Sequence, residues 1–121
     1  MASNYVSEGA VIQHTASGAD ISSGDVVVVG QLLGVALVDI ADGETGSVAI
    51  QGVFNVPKVS AAVIAAGESL VYDVSAGEFD DNAATPATGD VSGAAAVAVE
   101  AAGNGVTTID VLLTGVPGTV A

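Results

Sequence analysis

Ser22 to Lys58 reads SSGDVVVVGQLLGVALVDIADGETGSVAIQGVFNVPK. Short runs of Val, Ile and Leu alternate here with glycine and Asp-Gly-Glu clusters, and each run is too short to hold a helix by itself. Consecutive strands joined by tight turns explain that punctuation. Val26–Val29 is an unbroken β-branched run suited to a strand covered on both faces. Gly30–Gly34 is read as a bend, Val35–Ile40 as the next strand, and Ala41–Gly46 (ADGETG) as a hairpin tip. The strand after it, Ser47–Val56, puts Val48, Ile50, Gly52 and Phe54 on one face. Pro57 ends its ladder for want of an amide hydrogen.

Outward from this stretch the same grammar continues. Val6, Ala10 and Ile12 alternate within a strand over Tyr5–Thr15. Ser60–Ala66 (SAAVIAA) is the one place for a short helix, capped by Ser60 and stopped by Gly67. Glu68–Val74 is strand-like, and Phe79–Asp90 (FDDNAATPATGD) is the longest polar loop. Ala94–Ala102 has high helix propensity alone. It is read as a strand because Gly93 precedes it and the Gly103-Asn104-Gly105 turn joins it to a strand over Val106–Leu113. The expectation is an all-β fold: one small β-barrel or β-sandwich domain over residues 1–121, with a flexible N-terminal arm (1–5), a loosely held C-terminal tail (115–121) and at most one short helix near 60–66. Two stretches echo others: ISSGDVVVV resembles IAAGESLVY, and GVALVDIADGETGSVAIQGVF resembles AAAVAVEAAGNGVTTIDVLL. A duplication and the small vocabulary of β hairpins both account for such an echo.

At 121 residues the chain has room for one core, burying roughly two thirds of the surface of the unfolded chain. Half of the residues are hydrophobic, but many are alanine and only 3% are aromatic, so that core is thin and aliphatic. Burial against copies of itself or a partner is the expected supplement. Fourteen acidic residues face a single basic one, Lys58, for a formal net charge of −13. One lysine cannot neutralise a phosphate backbone, so nucleic acid is not a partner, and anionic membrane is disfavoured for the same reason. There is no cysteine, and neither a signal-peptide pattern nor a membrane-length apolar run is visible.

No set of residues announces chemistry. His14 is the sole histidine and no Gly-x-Ser-x-Gly elbow is present. The carboxylates Asp39, Asp42, Glu44, Glu78, Asp80 and Asp81 fall mainly in turns, where they bond to backbone and water. Asp80, Asp81, Asn82 and Asp90 offer oxygen ligands in one loop, at spacings unlike an EF-hand. Pro57 before Lys58 excludes a P-loop, and Lys58 is read as a surface lysine at a strand exit. The chain is therefore expected to be no enzyme, with no catalytic, cofactor-binding or metal-ligating residue assigned.

Several motifs, taken in order, carry a resemblance. They are Asn4-Tyr5-Val6-x-Glu8-Gly9-x-x-Ile12; Ser23-Gly24-Asp25 before four valines; Leu32-Leu33-Gly34-Val35-Ala36; Gly52-Val53-Phe54-Asn55-Val56-Pro57-Lys58; Gly67-Glu68-Ser69-Leu70-Val71-Tyr72-Asp73; and AVAVEAAGNG at 96–105. The pattern resembles the capsid cement, or head decoration, proteins of tailed bacteriophages. The resemblance implies a barrel-like subunit, made in the host cytoplasm, that sits on the outer surface of the virion. There it bridges major capsid proteins of an HK97-fold lattice, often as a homotrimer. This chain is more acidic and poorer in lysine than such a protein is expected to be. Contact residues expected for that role are Asn4 and Tyr5 in the arm and Phe79 beside the acidic loop. The competing expectation is an extracellular or surface β module that binds calcium or carbohydrate.

Overall fold

The computed structural model describes residues 3–4 and 7–121. The fold is all-β, with eleven strands and no helix among the described residues. Strands β1 (Val11–Thr15), β2 (Val26–Val29), β3 (Leu32–Ala36) and β4 (Thr45–Ala49) form a sheet in the order β1-β4-β3-β2. Strands β5 (Gln51–Pro57), β9 (Ala96–Ala98) and β10 (Thr108–Thr114) form a second, ordered β5-β10-β9. The third contains β6 (Val71–Asp73), β7 (Glu78–Asp80), β8 (Val91–Ser92) and β11 (Thr119–Val120), ordered β11-β8-β6-β7. All ladders are antiparallel. The sheets do not close into a barrel, so the sandwich is the architecture that holds.

The sequence echo is a structural repeat. Ile21 exchanges backbone hydrogen bonds with Ile40, and Ile64 does the same with Ala102. The Gly24 amide donates to Ala36, as the Gly67 amide does to Ala98, and Ala36 and Ala98 donate back to Asp25 and Glu68. Each acidic side chain then closes its own turn: Asp25 accepts from the Ser22 amide at 2.9 Å and Glu68 from the Ala65 amide at 3.0 Å. Both turns need a left-handed residue, and Gly24 (φ 91°) and Gly67 (φ 82°) supply it. Further along, β4 pairs with β1 in the register in which β10 pairs with β5, so that Val11↔Ala49 matches Val53↔Leu112. A shared hairpin vocabulary would not reproduce bridges, turns and register together. The second half departs from the first by an insertion: where Gly30–Gln31 joins β2 to β3, residues 74–95 carry β7 and β8 between β6 and β9.

Two cores follow from the two halves. The smaller lies on one face of the first sheet and holds Ala16, Val27, Ala36, Ile40, Val48 and Ile50. The larger takes Leu33 and Val35 from the opposite face of β3. It joins them to Val56, Ile109, Val111 and Leu113 from the second sheet and to Tyr72, Phe79 and Val91 from the third. A face of the first sheet thus shares one core with a face of the second, which is the burial that a thin aliphatic composition needs.

Several local expectations change. Residues 60–66 are turn and bridge rather than helix, because Ile64 must pair with Ala102. The strand expected over Val35–Ile40 runs from Leu32 to Ala36, since the chain reverses tightly at Gly30 (φ 61°). Gly34 lies inside that strand; a Cβ there would run into Val48 and into the Ala49 carbonyl. Ser47–Val56 is not one strand: the chain switches sheets between Ala49 and Gln51, where the Ile50 amide donates to Ala10. Residues 115–121, expected as a loose tail, contribute β11 to the third sheet. The Gly118 amide also donates to Gln31 and the Ala121 amide to Asp90. Ala94–Ala102 does hold a strand, β9, and Pro57 does end β5.

Candidate docking surface

Lys58 is the least expected feature. It is only 1% exposed, and among the described residues its ammonium bonds to carbonyls rather than carboxylates. Its ammonium donates to the carbonyls of Val59 (2.8 Å), Gly103 (3.1 Å) and Val106 (3.2 Å), with Ser60 at 3.5 Å. An ammonium has three hydrogens, and backbone carbonyls in place of solvent satisfy them here. The lysine therefore ties the exit of β5 to the turn between β9 and β10. The repeat offered the one sequence clue, because Lys58 stands where the first half has buried Ala16: both donate their amides to the turn ahead of the last strand, Ala16 to Glu44 and Lys58 to Thr107.

Burial of the only basic side chain leaves a surface whose side-chain charge is carboxylate, His14 aside. Many of these carboxylates hold turns. Asp39 accepts from Ser23, Asp42 from Gly18 and Asp20 from Asp42. Asp73 accepts from the hydroxyl and amide of Ser75 and the amide of Ala76, and these bonds, the hydroxyl first, hold its carboxyl below the ordinary range. In the loop considered for calcium, Asp80 and Asp81 accept from the Asp81 and Ala83 amides. Asp90 is buried and accepts from Val74 and Ala87. Among the described residues no three acidic or histidine side chains gather as a metal site.

One sheet face carries little charge. Gln51, Val53, Asn55 and Pro57 of β5, Thr108, Asp110, Leu112 and Thr114 of β10, and Val97 of β9 share the outer side of the second sheet. Val53, 55% exposed, lies opposite Leu112, 40% exposed, which in turn lies opposite Val97. The face carries one ionisable group, Asp110, and Asn55 donates to it at 2.9 Å. At the equivalent positions of the first sheet Val35 and Ala49 are buried, Val35 in the larger core, while Val11, the counterpart of Val53, is 40% exposed. Leu112 is thus open where its counterpart Ala49 is covered.

The residues expected at a contact are not brought together. Asn4 is exposed in a turn, and Tyr5 lies outside the described residues. Phe79 has no exposed surface; it packs on Tyr72 with ring centroids 5.0 Å apart and supports the acidic loop from beneath. The open valine and leucine face was missed because its residues alternate with core residues along β5 and β10, and a sequence does not say which face another sheet will cover.

A β scaffold with many surface carboxylates and an open sheet face that carries Val53, Leu112 and a single ionisable group is suited to contact with other proteins, and its class is a structural module. Comparison with family models agrees: the model for phage cement proteins matches residues 6–113, and the chain belongs to that family. Membership gives it a structural, cement role at the phage capsid. No curated protein matches the chain.

Proposed function

We propose that the chain decorates the outside of the phage head, bridges neighbouring subunits of an HK97-fold major capsid protein, and does so as a homotrimer. The observation that carries this reading is the outer face of the second sheet, where Val53, Leu112 and Val97 adjoin beside a single ionisable group, on a chain of net charge −13. Acidic copies repel each other wherever their carboxylates meet. The face around Val53 and Leu112 is where they approach at least cost and gain apolar burial. The acidic remainder suits a capsid surface that presents Lys and Arg. An exterior position fits the same charge, because packaged DNA would repel a chain of net charge −13. Each contact need not be strong, since many copies act together on a closed shell.

Sedimentation tests both parts. The protein alone sediments as a trimer, and it pellets with capsids purified without it. A monomer at every concentration removes the trimer, and protein left in the supernatant with capsids removes the docking.

A further inference from the structure

Strand β2 stands at the end of its sheet, with no strand beyond it among the described residues. Its register on β3 pairs Val26 with Val35 and Val28 with Leu33, and the Ala36 amide donates to the Asp25 carbonyl. Antiparallel partners alternate between bonded and non-bonded pairs. Asp25, Val27 and Val29 therefore turn their backbone groups towards β3, and Val26 and Val28 turn theirs outward. Four valines with no proline, bulge or lysine leave this edge without the usual protection against strand addition. A groove of about 550 Å³ runs along it, floored by the valines and walled by Asp20, Asp25 and Tyr72.

The second half shows what such an edge accepts. Val28 and Val29 correspond to Val71 and Tyr72 of β6, whose outer edge is filled by β7 through the antiparallel pairs Val71↔Asp80 and Tyr72↔Phe79. The fold covers this edge once and leaves its counterpart bare.

We propose that the bare edge of β2 takes an extended segment of the capsid protein, paired antiparallel and carrying Lys or Arg beside Asp20 and Asp25. The inference rests on the cement reading and names the contact. A second copy of this chain is a poor occupant: its only lysine is buried, so it has no basic side chain to offer, and it brings a further charge of −13. Backbone pairing supplies affinity in such additions, and the flanking side chains select the partner.

Capsids purified without the protein are the probe. Val28→Pro removes one outward amide and no bond to β3, a position where an edge strand tolerates proline. The proposal expects V28P to keep the wild-type melting profile and to bind capsids at least tenfold more weakly. It expects the Val26 and Val28 amides of the wild type to become protected from hydrogen exchange on capsids. Equal capsid binding by V28P and wild type, with both amides unprotected, overturns the edge contact while the cement reading stands. Wild-type protein that ignores capsids overturns both. Protection that rises with protein concentration alone makes the occupant a second copy and overturns the proposal. Should V28P not fold, the exchange measurement on wild type decides alone.

Discussion

Replacing Lys58 by methionine keeps most of the buried stem and deletes the ammonium. Three short bonds to carbonyls are lost, those to Val59, Gly103 and Val106. Hydrogen bonds from a charged donor contribute roughly 1.5–3 kcal/mol each, a gross loss of about 4–9 kcal/mol. Burying an ammonium itself costs several kcal/mol, which the substitution recovers. The expected net destabilisation is about 2–4 kcal/mol, and for a domain of this size a lowering of the melting temperature by roughly 10 °C. Thermal and urea unfolding of wild type and K58M measure it. Amide exchange locates it, with the turn at Gly103–Val106 loosening first. Because Lys58 is the only lysine, acetylation with peptide mapping gives an independent reading: it stays unmodified in the native protein and reacts on unfolding. K58M within about 0.5 kcal/mol of wild type, or rapid native acetylation of Lys58, would refute the buried latch, since surface substitutions away from structural contacts fall within that range.

Three further outcomes are expected. Leu112→Asp puts a second carboxylate beside Asp110 on the open face of the second sheet; the monomer keeps its stability while sedimentation shows the trimer lost. Gly34→Ala forces a methyl against Val48 and the Ala49 carbonyl and costs about 1–3 kcal/mol in urea unfolding, the usual range for overpacking. Burial, then the nearby charges of Asp25 and Asp73, raise the Tyr72 phenol above its ordinary pKa of 10.0. Its contribution is therefore complete below pH 10 and is lost as pH rises through the higher folded value; a Y72F variant should show a shallower fall of melting temperature across that window.

Turns and strand cores were legible because their signals are local. Gly24 and Gly67 each precede an acidic residue that closes the turn, and Val26–Val29 is a strand as read. Ala94–Ala102 holds a strand against its helix propensity, but only over Ala96–Ala98. The helix expected over residues 60–66 shows what local reading misses: Ile64 is held by Ala102, 38 residues away, in a bridge the sequence shows only through its echo of Ile21. Val-Pro-Lys-Val reads as a strand exit with a surface lysine, and two of the carbonyls that receive the Lys58 ammonium, those of Gly103 and Val106, belong to a distant turn. Phe79–Asp90 is the longest polar loop by sequence, yet its two ends are buried, Phe79 in the larger core and Asp90 under the amides of Val74 and Ala87. Which sheet face stays open was not legible, because that depends on how the two halves stack.

The cement role is tested most directly by heating phage heads that lack this protein, with and without the purified chain added back, and following release of their DNA. Added protein is expected to raise the release temperature, saturating at a fixed number of copies per head. Release at an unchanged temperature with the protein bound at saturation would contradict it.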